Sequence, residues 1–311
     1  MYWSSRRAEV ALGLAAGVAS TAISHPLDLL KVRLQLQRQR TSRAFDLIKT
    51  LVSAINADAV SAAARGNHRL PIAYYHLQQW YRGIAPNLVG NAAAWSLYFV
   101  FYAEFKDILA SRGDQSPSTA PTTSYFGASA LAGITTSVFT NPFWVLKTRI
   151  LATPRGVTGS YVSMADAIRF ILCDEGIATF WRGTILSLFL VLQASVQFSI
   201  YDQLKDWLVA TSATEASSSD LSSWQYIYAS AVSKTASMCL LYPAQVLRAR
   251  LQAKSDVWEP KTISGVCKSL WTNEGYLRGF YRGMGANMLR VLPSTCITFI
   301  TYESVKSSLL H

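Results

Sequence analysis

Six stretches of the chain are apolar and almost free of charge: Val10–Leu27, Ile84–Ala103, Tyr125–Leu146, Thr184–Tyr201, Tyr226–Leu247 and Met284–Tyr302. Each approaches the roughly 20 residues a helix needs to cross a bilayer. None shows the period-2 alternation of a barrel strand, so the pattern predicts six membrane-spanning helices. The fifth stretch contains one charge, Lys234, and the sixth one, Arg290. An even number of spans puts both termini on one side. The first stretch runs on into helical sequence and reads as a span, not as a removed signal. Residues 38–80 read as a long polar connector with Arg38, Arg40, Arg43, Arg65 and Arg69. Residues 111–122 and 211–223 are Ser/Thr-rich and read as linkers. Segments 163–173 and 263–272 carry helix-period apolar positions and are expected along the membrane surface.

Composition sharpens this picture. Half of the 311 residues are hydrophobic and only 15% are charged, yet the net charge is +11. Soluble proteins carry roughly a quarter charged residues. The apolar content excludes disorder and argues against a nucleic-acid binder. Cys173, Cys239, Cys267 and Cys296 form no CxxC pair, so they read as small apolar helix residues.

Three motifs recur in the same order with a period near 100 residues. His25-Pro26-Leu27-Asp28-Leu29-Leu30-Lys31-Val32-Arg33 returns as Asn141-Pro142-Phe143-Trp144-Val145-Leu146-Lys147-Thr148-Arg149. It returns again as Tyr242-Pro243-Ala244-Gln245-Val246-Leu247-Arg248-Ala249-Arg250. Tyr81-Arg82-Gly83 returns as Trp181-Arg182-Gly183 and Tyr281-Arg282-Gly283. Each even span ends in Tyr with Lys four residues on: Tyr102/Lys106, Tyr201/Lys205 and Tyr302/Lys306. The repeats divide the chain into 1–110, 111–210 and 211–311.

On these motifs the sequence resembles the mitochondrial carrier family over essentially its whole length. Glu175-Gly176 and Glu274-Gly275 complete the family pattern in repeats 2 and 3, and repeat 1 lacks this acidic-Gly pair. The resemblance implies an all-α membrane protein of the mitochondrial inner membrane. Six tilted helices would form a threefold pseudo-symmetric barrel, with prolines kinking the odd helices and short helices on the matrix side. It implies a matrix-side gate in which Asp28 pairs with Lys147. Trp144 and Gln245 replace the other two acidic residues. Gln245 would then meet Lys31, and Trp144 would offer its ring to Arg248. Trp144 as an interfacial anchor is the alternative. At the cytosolic end Asp202 would pair with Lys306 and Glu303 with Lys106, beside Lys205. As plain surface charges these would contribute little.

Ionisable groups inside a bilayer are costly and point to function. Lys234 and Arg290 are both cationic, and no carboxylate lies at comparable depth in the sequence. An anionic substrate would supply the missing counter-charge, unless these cations snorkel or bind backbone carbonyls. The resemblance places substrate contacts at Gly90, Asn91, Leu190, Val191 and Arg290, with Trp95 and Gln193 nearby. Gly90 is read as leaving space beside Trp95, and Leu190-Val191 as an apolar wall. A large, flat, partly aromatic anion suits this set.

The run Pro142-Phe143-Trp144-Val145-Leu146-Lys147 is similar to the subgroup that carries flavin, folate and nucleotide cofactors. Gly90-Asn91-Ala92-Ala93-Ala94-Trp95 and Pro293-Ser294-Thr295-Cys296-Ile297-Thr298-Phe299 are most similar to its FAD-carrying members. FAD is therefore the expected cargo, as substrate and not as prosthetic group, with folate, NAD or pyrimidine nucleotides as alternatives. The resemblance also implies membrane lipid as a partner, cardiolipin among the candidates, a monomeric state and no nucleic acid. The chain has no Ser/His/Asp set, no phosphate-cradling glycine loop and no His/Cys metal spacing, so neither an enzyme nor a metal site is expected. A transport-inactive scaffold or receptor is the alternative of another class.

Overall fold

The computed structural model describes residues 2–37, 44–65, 70–112, 122–153, 160–212, 223–253 and 262–291. All regular structure among them is helical. Five long helices cover the first five apolar stretches: α1 (Tyr2–Leu36), α4 (Ile84–Arg112), α5 (Thr122–Ala152), α7 (Thr184–Ser212) and α8 (Ser223–Gln252). Each extends beyond its apolar stretch at one or both ends, because the motif charges continue the helix. The sixth stretch begins as a helix, α11, over 284–291. The rest of that stretch lies outside the described residues, so the six-span count rests on the sequence. By length and composition alone, two described segments would cross a bilayer: Asp46–Ala64 and Ile177–Thr211.

Pro26, Pro142 and Pro243 sit inside α1, α5 and α8, which run through them without a break. Each proline removes one hydrogen bond to the carbonyl four residues back. The Tyr/Trp-Arg-Gly turns use their glycines for positive φ: Gly83 at 77°, Gly183 at 77° and Gly283 at 83°. The carbonyls of these glycines then accept the first bonds of the next helices, from Asn87, Ser187 and Asn287.

The connector 38–80 corrects its reading as polar chain. It contains α2 (Ala44–Arg65) and α3 (Ile72–Trp80), which pack on each other. Trp80 Nε1 donates to Asn56 Oδ1 at 3.2 Å and ties the pair together. Of the arginines that made the connector look polar, Arg65 ends α2, and Arg38, Arg40, Arg43 and Arg69 lie outside the described residues. In the other repeats the short helices appear where expected. α6 (Met164–Phe170) is capped by Ser163 and continues as one π turn to Glu175. α9 (Ile263–Asn273) is capped by Thr262 and followed by the short α10 (Leu277–Phe280). Cys173, Cys239 and Cys267 are free thiols.

The chain divides into two compact units. Unit 1 holds residues 1–95, 140–182 and 249–311, and so the three proline-to-Arg and aromatic-Arg-Gly regions apart from 183–248. Its cores are built around Leu29, Ile55 and Leu151, and around Leu146, Tyr161 and Ile171. Unit 2 holds residues 96–139 and 183–248. It leaves large apolar side chains such as Phe99, Phe126, Phe198, Trp207 and Leu240 exposed. That surface suits lipid, not water.

Candidate functional site

In unit 1 the second basic residue of each proline motif makes the same bond. Arg33 Nε donates to Leu151 O at 3.2 Å, Arg149 Nε to Gln252 O at 3.1 Å, and Arg250 Nε to Gln35 O at 2.8 Å. Leu151, Gln252 and Gln35 stand two residues after Arg149, Arg250 and Arg33. The three bonds therefore run from repeat 1 to 2, from 2 to 3, and from 3 back to 1. In repeats 2 and 3 the remaining nitrogens reach acids. Arg149 grips Glu175 through two contacts of 2.6 and 2.8 Å, and Arg250 is bidentate on Glu274. Arg182 and Arg282 add 3.1 and 2.9 Å contacts to the same two carboxylates. In repeat 1 Arg33 has Asp58 of α2 at 4.0 Å. Arg82 instead donates to the carbonyls of Ile150 and Tyr161.

The sequence alone assigns no role to the residue before each proline. His25 and Asn141 are fully buried. His25 Nε2 lies 2.9 Å from Arg82 O, and Asn141 Nδ2 donates to Arg182 O at 3.3 Å and Phe180 O at 2.7 Å. Both fasten a proline helix to an aromatic-Arg-Gly turn. A carbonyl only accepts, so His25 carries its proton on Nε2. Its Nδ1 then accepts from Asn87 Nδ2 at 3.3 Å. The same amide nitrogen lies 3.4 Å from Asp28 Oδ2, and a carboxylate there fixes which end of the Asn87 amide faces it. Asn87 Oδ1 in turn accepts from Asn91 at 3.4 Å.

Asp28, 6% exposed, is the hub of this network. Oδ2 pairs with Lys147 Nζ at 3.0 Å, and Oδ1 with Arg290 Nε at 3.1 Å. The structure thus brings together Asp28 and Lys147. It also overturns the expectation that Arg290 lies without a carboxylate: the acid arrives from α1, at the opposite end of the chain. The Arg290 contact has ion-pair distance, but Nε is not aligned for a hydrogen bond and has no other acceptor. Arg290 Nη2 donates to Asn287 Oδ1 at 3.4 Å.

Trp144 Nε1 donates to Thr140 Oγ1, and Lys147 Nζ lies over the Trp144 ring at 5.4 Å. Gly90 does not open space. A Cβ built there would lie 3.2 Å from Phe143 Cβ, so glycine serves the close approach of α4 to α5. Trp95 is exposed, and Lys31 is half-buried one turn after Asp28.

In unit 2, Gln245 Nε2 donates to Gln193 Oε1 at 3.3 Å, and Val191 packs where Gly133 lacks a side chain. Leu190 and Arg248 are half-buried. Among the described residues the half-buried Lys234 ammonium has no hydrogen-bond or ion-pair partner. Lys106 and Lys205 lie over the rings of Tyr125 and Tyr226, at 5.3 and 5.9 Å. Asp202 is exposed. Glu303 and Lys306, its expected neighbours in the cytosolic gate, lie outside the described residues.

The profile of the mitochondrial carrier protein family matches residues 3–69, 118–212 and 219–311. The chain belongs to the mitochondrial carrier family. It is a multi-pass transporter of the mitochondrial inner membrane with an all-α fold. It is 33% identical to the mitochondrial FAD carrier protein FLX1 of Saccharomyces cerevisiae, over 99% of this chain and 98% of the relative. It is 34% identical to chloroplastic folate transporter 1 of Arabidopsis thaliana, over 94% of this chain and 92% of the relative. It is 32% identical to mitochondrial nicotinamide adenine dinucleotide transporter 2 of Arabidopsis thaliana, over 95% and 78%.

Proposed function

We propose that this carrier moves FAD across the inner membrane by alternating access, with six spans in three repeats and with Asp28–Lys147 as its charged matrix-side gate. The observation that carries the reading is Arg290, an intramembrane cation whose Nε has no aligned acceptor and whose side chain keeps 30% exposure. Such a group is ready for an anion. Lys234 adds a second intramembrane cation, and Leu190 and Val191 add apolar surface for a fused ring. The full-length similarity to a carrier named for FAD favours that cargo. Folate and NAD are the second reading, because relatives of similar identity carry those names.

Liposome uptake of FAD, with folate, NAD, coenzyme A and pyrimidine nucleotides as competitors, tests the assignment. Saturable FAD uptake is expected, abolished by Arg290→Ala and by Lys234→Ala. Uptake of a competitor with FAD ignored would reassign the cargo. No saturable flux of any of them would favour the scaffold reading. Full uptake in both alanine variants would remove Arg290 and Lys234 from the site.

A further inference from the structure

In each repeat the residue at the acidic gate position touches the substrate level of the preceding even helix. Asp28 meets Arg290, Trp144 borders Gly90, and Gln245 bonds Gln193. Only the first of these three is a pair of opposite charges. Its two ends also differ in what holds them. Asp28 Oδ2 is fixed by Lys147 at 3.0 Å and Asn87 at 3.4 Å, whereas Oδ1 faces a misaligned Arg290 Nε. By side chain, Arg290 is the most exposed member of the trio, at 30% against 14% for Lys147 and 8% for Asp28.

We infer that Asp28 and an anionic, phosphate-bearing substrate compete for Arg290, so that substrate capture leaves Asp28 held through Oδ2, by Lys147 and Asn87. The inference rests on Arg290 being a substrate contact. Phosphate oxygens would take the Arg290 nitrogens, and the carboxylate would lose one of its two ion pairs. A buried ion pair has a small net worth, since desolvation offsets most of its attraction, so a more highly charged anion can replace the carboxylate. The matrix-side gate then opens more easily when cargo is bound than when it is absent. No other seam offers this coupling, because Trp144 and Gln245 have no charge to give up.

Two substitutions separate competition from mere loosening of the gate. Asp28→Asn removes the competitor and should tighten FAD binding severalfold. Lys147→Met leaves Asp28 with Arg290 as its remaining ion pair, strengthens the competitor, and should weaken FAD binding severalfold. A gate effect alone would move both variants in the same direction, since both break the same pair. Flavin-fluorescence titration of the detergent-purified carrier reads the affinities, and thermal unfolding checks that each variant is folded. Lys147→Gln gives a second route with the same sign. Shifts of one sign, or no shift, overturn the inference while Arg290→Ala still abolishes binding. If Arg290→Ala leaves FAD affinity intact, the substrate contact itself fails and the competition falls with it.

Discussion

Gly83 and Gly176 both have positive φ, 77° and 82°, and differ in surroundings. A Cβ at Gly83 would lie 2.3 Å from Cδ1 of Leu151, which is itself fully buried. A Cβ at Gly176 would meet nothing within 4 Å. Gly176→Ala should therefore cost only the backbone strain of its positive φ, about 1–3 kcal/mol. Gly83→Ala adds overpacking of roughly 1–3 kcal/mol. Thermal unfolding of the two variants should rank Gly83→Ala clearly below Gly176→Ala, and equal losses would mean that the Leu151 contact does not matter. Sequence located these glycines through the repeated motif but could not rank them. It had the same limit at Arg290. Depth along a helix is legible from spacing, but the carboxylate it meets comes from a helix at the far end of the chain. His25 and Asn87 stayed silent for a related reason. A polar residue before a proline, or one turn into a helix, shows its purpose only when its partners are in place.

Repeat 1 departs from the other two at α2, and one substitution accounts for it. Repeats 2 and 3 break their short helices at Glu175-Gly176 and Glu274-Gly275, with both glycines at positive φ. Asp58 of α2 takes the acidic role opposite Arg33, but Ala59 follows it, fully buried and helical. Without a glycine the helix continues to Arg65, and α3 must bring the chain back to Arg82. The missing acidic-Gly pair was visible in the sequence. That its absence lets the helix run on was masked by the arginines, which suggested a polar connector. The acids should differ in weight. Glu274 is 1% exposed and carries two arginines, so Glu274→Ala leaves buried guanidinium groups unpaired and should cost about 3–5 kcal/mol. Asp58 is 27% exposed with a single 4.0 Å contact, and Asp58→Ala should cost under about 1 kcal/mol. Unfolding midpoints of the two variants check the ranking. A loss at Asp58 as large as that at Glu274 would show that repeat 1 depends on its acid as the others do.

Across the molecule, the three Arg-to-carbonyl bonds of unit 1 bring into contact residues that are far apart in sequence. Each helix end is both acceptor and donor. The last turn of α8 accepts from Arg149 at Gln252 O and donates from Arg250 to Gln35 O and Gln37 O. Gln252 is pinned further by Thr148, which donates to its Oε1 at 3.1 Å, and by Asn141, whose Oδ1 accepts at 3.3 Å. If α8 loosens from α1, the carbonyl that Arg149 needs is no longer held in place. Lysine tests this without removing charge. It can still face Glu175 or Glu274, but its single nitrogen cannot serve the carbonyl as well. Arg149→Lys and Arg250→Lys should each cost about 1.5–3 kcal/mol, the range for a hydrogen bond from a charged donor. Because the bonds close on themselves, the second loss should be smaller once the first bond is gone. The double variant should then fall short of the summed losses by roughly 0.5 kcal/mol or more, the coupling expected of residues in one network. Chemical or thermal unfolding of the wild type, both single variants and the double variant measures that coupling. Strict additivity would mean that the three bonds act as separate clasps, and that any one seam could open while the other two held at full strength.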